Sequence, residues 1–276
     1  MALDDGRQPA LATVPEPDGP GEPVRVLACG LCGSDLEKIG RADPGTVLGH
    51  EVAAETAEGR RVVLVHHLPC GECERCRAGH ETTCERFASA TIVPGGFAER
   101  ARARGGWVQL PDAIEHARAT YAEPLACVLR AAERVPSGRV VVVGRGFVGR
   151  LWEAMLERRG DDVFSVDRDP NRAGRPPDGP VDAAVLCAPA APLEHVRPGG
   201  TVLVFAAAGA LDLDAVYRHE LTLLGSRSAT PRHLAAAVEL LPELDLPEPT
   251  VLPLERFAEG LELYRRRRAL KVVFTP

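Results

Sequence analysis

The sequence predicts an α/β protein in two lobes: a turn-rich β lobe, then a doubly wound parallel sheet. Three observations carry this. The first half holds short apolar runs, at 24–28, 47–48, 61–65, 90–93 and 97–101, separated by glycine and proline, as in an irregular β domain. The second half alternates β-branched runs with helix-period segments, the pattern of strand–helix–strand units. A length of 276 residues also exceeds the usual size of one domain.

The elements of the second half follow in order. Leu125, Val128, Leu129, Ala132 and Val135 recur at helical spacing before Pro136-Ser137-Gly138 ends the helix, which puts a domain boundary between 135 and 136. Residues 139–143 form a continuous β-branched strand, 147–158 a helix and 162–166 a second strand. Residues 183–187 and 201–205 read as further buried strands, the latter introduced by the turn Arg197-Pro198-Gly199-Gly200. Helical spacing returns at 231–241 and 254–267, and the last strand is 271–275.

The net charge of −6 gives no broad cationic field for nucleic acid, and the arginine run 265–268 reads as a solvated helix face. The first 23 residues are polar and proline-rich, and no run approaches the roughly 18 apolar residues of a membrane span. A cytoplasmic protein without membrane contact is expected. Of the eight cysteines, four fall within fifteen positions, and in a reducing compartment such a cluster reads as metal ligation before disulfides.

Cys70, Cys73, Cys76 and Cys84 make a C-x2-C-x2-C-x7-C array. Four thiolates close a tetrahedral shell around zinc and leave no open position, so such a site is structural; an iron–sulfur cluster also uses four cysteines and stays open from spacing alone. His66, His67 and His80 flank the array and read as bystanders. A second, dispersed set comprises Cys32-Gly33-Ser34-Asp35, Gly49-His50-Glu51 and Glu123-Pro124-Leu125-Ala126. Together these supply a thiolate, an imidazole and carboxylates, the chemistry of an open zinc site. The third motif, Gly144-Arg145-Gly146-Phe147-Val148-Gly149, follows a strand and opens a helix, so backbone amides face a pyrophosphate. Asp167 ends the next strand, where a carboxylate binds ribose hydroxyls. It favours NAD over NADP by repelling a 2′-phosphate, partly offset by Arg168.

By these residues the sequence resembles the zinc-containing medium-chain dehydrogenases, in the sorbitol and threonine dehydrogenase branch, from Val24 to Pro276. The resemblance implies a GroES-like catalytic domain over 1–135, a Rossmann domain over 136–249, and a return of 250–276 to the first. It implies a catalytic zinc on Cys32, His50 and either Glu51 or Glu123, with water in the remaining position, besides the four-cysteine structural zinc. Ser34 matches the hydroxyl that touches substrate oxygen, although Glu37 stands where the family has a histidine relay. Cys127 reads as core. The implied reaction is hydride transfer between NAD and a secondary alcohol of the polyol, amino alcohol or aminocyclitol class, by a homo-oligomer, dimer or tetramer. A zinc-stabilised binding or regulatory protein that has lost catalysis is the rival reading. Residues 168–180 are too few, and too rich in glycine and proline, for the helix–strand–helix usual there, so a reduced sheet lacking one edge strand is expected. The stretch 188–196 is also short for the usual helix.

Overall fold

The structure, a computed structural model, describes residues 1–87, 91–189, 193–206 and 209–276. In chain order come β1 (Ala2–Leu3), β2 (Pro9–Ala10), β3 (Glu22–Gly30), α1 (Gly33–Lys38), β4 (Glu51–Thr56), β5 (Arg61–Leu64), α2 (Glu74–Arg77), β6 (Ile92–Val93), β7 (Arg100–Ala103), β8 (Trp107–Gln109), α3 (His116–Ala119) and α4 (Ala122–Ala132). There follow β9 (Arg139–Val143), α5 (Phe147–Arg159), β10 (Asp162–Val166), β11 (Val181–Leu186), β12 (Val196–Val204), α6 (Leu213–Arg218), β13 (Thr222–Gly225), α7 (Pro231–Leu240), β14 (Thr250–Pro253), α8 (Phe257–Arg265) and β15 (Val272–Thr275). They divide into two compact units. One comprises Met1–Ala126, Ala229–Pro242 and Glu248–Pro276, and the other Cys127–Ser228 and Glu243–Pro247.

The first unit is built on a sheet of order β14-β15-β3-β4-β5-β8, with β7 beside β3 and β6 beside β7. Its core holds Val24, Val26, Leu31, Val52 and Val62, with Phe97, Phe257 and Phe274 packed at centroid distances of 4.6 to 5.6 Å. Offset and edge-on aromatic contacts of this kind stabilise beyond the area they bury. The C-terminal strand β15 pairs antiparallel with β3, Val273 opposite Gly30. That pairing brings the last residues beside the loop carrying Cys32.

Two expectations need correction here. Residues 47–48 are buried but form no strand; the strand starts at Glu51. Leu48 instead accepts a hydrogen bond from the Phe97 amide at 3.0 Å, and Gly49 at φ +96° breaks extended backbone before His50. The strand expected at 97–101 begins only at Arg100. Ala90 of the 90–93 run and residues 190–192 of the short 188–196 link lie outside the described residues.

In the second unit five parallel strands take the order β10-β9-β11-β12-β13. Val140, Val141 and Val142 are fully buried, as a sheet covered on both faces requires. The reduced sheet is present: among the described residues no strand lies between β10 and β11. Its edge is protected instead by the shortened segment. The Ser165 amide donates to Arg175 O at 2.9 Å, and the Arg175 guanidinium stacks on Phe164 at 4.0 Å, which blunts an otherwise open row of backbone groups. The opposite edge is β13, a four-residue strand that the sequence pattern hides. Strand order reverses between β10 and β11 around β9, so the loop after β9 lies at a topological switch point, where such sheets bind ligands. No helix among the described residues is long and apolar enough to cross a membrane.

Candidate functional site

The four-cysteine lobe is folded as a closed cage. Cys73 caps α2, and its sulfur accepts from the Cys76 amide at 3.5 Å; Cys70 Sγ accepts from the Cys73 amide at 3.3 Å, and Cys84 Sγ from the amides of Cys70 and Arg86 at 3.4 and 3.3 Å. The pairs Cys70–Cys76 and Cys73–Cys84 stand 3.9 Å apart, sulfur to sulfur. A tetrahedron with zinc–sulfur bonds of about 2.3 Å has edges of about 3.8 Å, so these sulfurs fit a zinc ion. Backbone donors at Glu85 and Cys76 lower the Cys73 pKa to about 6, favouring the thiolate that metal binding needs. None of the flanking histidines belongs to this group.

The open set is assembled by one carboxylate. Cys32 ends the turn from β3 and caps α1. Asp35, at the third position of that helix and fully buried, accepts from the Cys32 amide at 3.1 Å and the Gly49 amide at 3.4 Å, and faces His50 Nδ1 at 3.4 Å. It thereby ties the Cys32 loop to the His50 loop. Gly49 is obligatory between them: any side chain would meet Cys29 Sγ at 2.7 Å and the Phe97 amide nitrogen at 2.9 Å, at a positive φ. Cys32, His50 and Glu51 then each present a ligand atom within 4.8 Å of the others.

Electrostatics suit a cation. Burial opposes charge on His50, but the Asp35 carboxylate and the Cys32 sulfur outweigh it and hold the pKa well above the usual value. His50 Nδ1 is buried without a hydrogen-bond partner among the described residues, and a neighbouring carboxylate is what orients a metal-bound imidazole. Glu51 forms a buried ion pair with Lys271, whose ammonium also donates to Leu31 O at 3.1 Å. With Cys32 as thiolate and His50 deprotonated, as a metal ligand must be, Cys32, Asp35 and Glu51 give three negative charges against the one positive charge of Lys271. A divalent ion balances the remaining two.

Glu123 is not in this ligand group. It lies in the first turn of α4 and lines a small pocket with His66, His67, Thr230 and apolar residues including Ala126 and Leu234. The His66 ring packs on His50 at 4.5 Å and on His67 at 3.9 Å, and His67 stacks on Phe87 at 4.1 Å, just beyond Cys84. Burial first, then the neighbouring His50 and His67, pushes the His66 pKa far down, so this ring is neutral. Ser34 is half-buried in the first turn of α1, and Glu37, three residues on, is exposed. Sequence reasoning named Asp35 only as part of the Cys32 segment, took His66 for a bystander of the cysteine array and gave Lys271 no place. The signals were an acid three residues after Cys32, the capping spacing, and a rare lysine inside an apolar terminal run.

In the second unit, the loop after β9 is shaped for phosphate. Gly144 takes φ +93°, and a side chain there would press on Ala188; one at Gly149 would strike the Gly144 carbonyl. At Gly146, which caps α5, a side chain would project into open space, so the backbone is free to approach a ligand at the helix N-terminus. Asp167 accepts from the Arg145 amide at 2.7 Å and the Asp169 amide at 2.9 Å, fixing the loop against the end of β10. Phe147 and Val148 start the helix, and Phe147 is buried. These residues fit a dinucleotide.

A β-rich unit holding one closed and one open ligand set, in a chain that also carries a Rossmann-type sheet with a glycine-rich turn, agrees with the resemblance to the zinc-containing medium-chain dehydrogenases. Residues 22–112 match the alcohol dehydrogenase GroES-like domain, and the chain is similar to dehydrogenases that act on polyols and threonine. It is 31% identical over 60% of its length to sorbitol dehydrogenase of Bacillus subtilis strain 168, and that match spans 54% of the relative, about half. It is 25% identical to L-galactonate-5-dehydrogenase of Escherichia coli K12, with 91% of each chain covered. Acetophenone reductase from Geotrichum candidum, solved with NAD, shares the fold at a TM-score of 0.82 and 18% identity, over 94% of this chain and 91% of that one.

Proposed function

We propose that this protein is a zinc-dependent dehydrogenase that moves a hydride between a secondary alcohol and NAD. The observation that carries the reading is the meeting of Cys32, His50 and Glu51 near a small pocket in which His66, His67, Glu123 and Thr230 stand among apolar residues. Cys32 and His50 would hold the catalytic zinc with Glu51 or Glu123, and Cys70, Cys73, Cys76 and Cys84 the structural one. When bound, zinc supplies the Lewis acidity that makes an alcohol proton easier to lose, and NAD supplies the hydride acceptor. Ser34 Oγ would take the hydroxyl proton and pass it toward Glu37 and solvent. Asp35 keeps the imidazole oriented, and Lys271 limits the negative charge around the substrate oxygen. Gly144, Gly146 and Gly149 would cradle the pyrophosphate, with Asp167 on the ribose and Arg168 beside it. The substrate class is polyol, amino alcohol or aminocyclitol, the protein a cytoplasmic homo-oligomer. Metal-quantified protein assayed with polyols and amino alcohols, using NAD and NADP and read at nicotinamide absorbance, tests this. Absence of turnover by protein carrying both metals would end the dehydrogenase reading.

A further inference from the structure

The two ligand sets share no residue, yet a row of four rings runs from one to the other. His66 and His67 stand four and three positions before Cys70, and Phe87 three after Cys84. His67 stacks on Phe87 at 4.1 Å, with 18° between the ring planes, and so closes the stem of the four-cysteine loop. His66 lies on His67 at 3.9 Å and on His50 at 4.5 Å. The terminal torsion of such a ring is broad when nothing touches it, and packing narrows it. His50 is thus held twice, by Asp35 facing its Nδ1 at 3.4 Å and by the His66 ring lying against its own. Phe87 takes its place from the cage. Its amide donates to Cys84 O at 3.0 Å, the Arg86 amide donates to Cys84 Sγ at 3.3 Å, and Cys84 is buried. The turn that carries the ring follows wherever Cys84 is drawn, and the folding of such a loop is coupled to its metal.

We propose that this ring row couples the two sites: a metal ion in the four-cysteine cage fixes Phe87, which through His67 and His66 holds His50 in the pose that binds an ion in the open set. His66, His67 and Phe87 are then positioning residues, and none of them belongs to either ligand group. Coupling of this kind is reciprocal, so filling either set tightens the other by the same factor. The inference rests on the two-metal part of the proposed function and not on hydride transfer, which its test never uses.

Parent, Phe87→Ala, Phe87→Tyr, Cys73→Ser and the Phe87→Ala/Cys73→Ser double variant are loaded with cobalt(II), and a competing chelator withdraws the ion. A four-thiolate shell and a mixed sulfur, nitrogen and oxygen shell give cobalt different visible absorption, so loss from each set is followed separately. Phe87→Ala should weaken the open set for cobalt roughly fivefold or more and shift its absorption while the four thiolates stay loaded. Phe87→Tyr keeps the ring and should match the parent. Cys73→Ser, which empties the cage, should weaken the open set by a similar factor, and adding Phe87→Ala to it should weaken it no further, because the row has already lost its anchor. If Cys73→Ser fails to fold, the two Phe87 variants still decide. An open set unmoved by Phe87→Ala, equal losses in Phe87→Ala and Phe87→Tyr, or losses that add in the double variant would each overturn the coupling. A lower melting temperature in Phe87→Ala with the affinity and spectrum of the open set unchanged would overturn it too, since the rings would then only pack the stem. A parent that takes cobalt in the cage alone removes the zinc-dehydrogenase reading along with the coupling, whereas a parent that fills both sets without coupling leaves that reading standing.

Discussion

Lys271 and Glu51 are 220 positions apart in sequence and form an ion pair in which both side chains are at most 2% exposed. The last strand therefore fastens the residue that follows His50. Burial opposes the charge of Lys271, but Glu51 and Cys32 raise its pKa, so the ammonium stays charged throughout the physiological range. Lys271→Met leaves a buried carboxylate without its counter-charge and is expected to cost about 3–5 kcal/mol, measured by urea unfolding. Adding Glu51→Gln should return part of that loss. An unfolding midpoint unmoved by Lys271→Met would mean that the pair contributes nothing.

Each chain is expected to bind two zinc ions. Cys73→Ser should remove one, lower the melting temperature and expose the segment from Cys70 to Cys84 to proteases, because metal binding and folding of such a lobe are coupled. Elemental analysis, a thermal scan and limited proteolysis read the three effects. Full zinc content with unchanged melting would contradict a structural site.

For the open set, Cys32→Ala and His50→Ala should each empty the site and reduce turnover by several orders of magnitude, while NADH fluorescence still reports binding at Gly144–Gly149 in the other unit. The carboxylates should behave differently. Glu51→Gln and Glu123→Gln should each be milder than their double variant if the two substitute for one another as third ligand, and the excess loss in the double measures that coupling. Additive losses would give each carboxylate a separate role.

NAD should be used in preference to NADP, and Asp167→Ser should narrow or reverse the preference by removing both the ribose acceptor and the repulsive charge. The structure adds a second effect. Asp167 also accepts from the Arg145 amide, so the same change loosens the glycine-rich loop, and affinity for NADH should fall by roughly tenfold for the loss of a charge-assisted hydrogen bond. Equal use of both cofactors by the parent protein would show that Arg168 offsets Asp167.

The sequence by itself determined what depends on local pattern. The β-branched run at 139–143 is the strand β9 and the run at 162–166 is β10, with the same limits, because a buried parallel strand writes its burial as continuous hydrophobicity. The four-cysteine array was readable because its ligands lie within one loop, and the missing edge strand because 168–180 is too short to contain it. Tertiary structure decided what depends on distant partners. The strand β4 was overlooked because it starts on Glu51, an acid whose burial makes sense only with Lys271 across the sheet. Asp35 looks like an ordinary helix-capping acid until Gly49, at φ +96°, delivers His50 to it. His66 read as a neighbour of the cysteines, and only the packing of its ring on His50 gives it to the other site. In each case the long-range partner fixes the role, through charge compensation or ring contact, and neither has a period or spacing along the chain that could announce it.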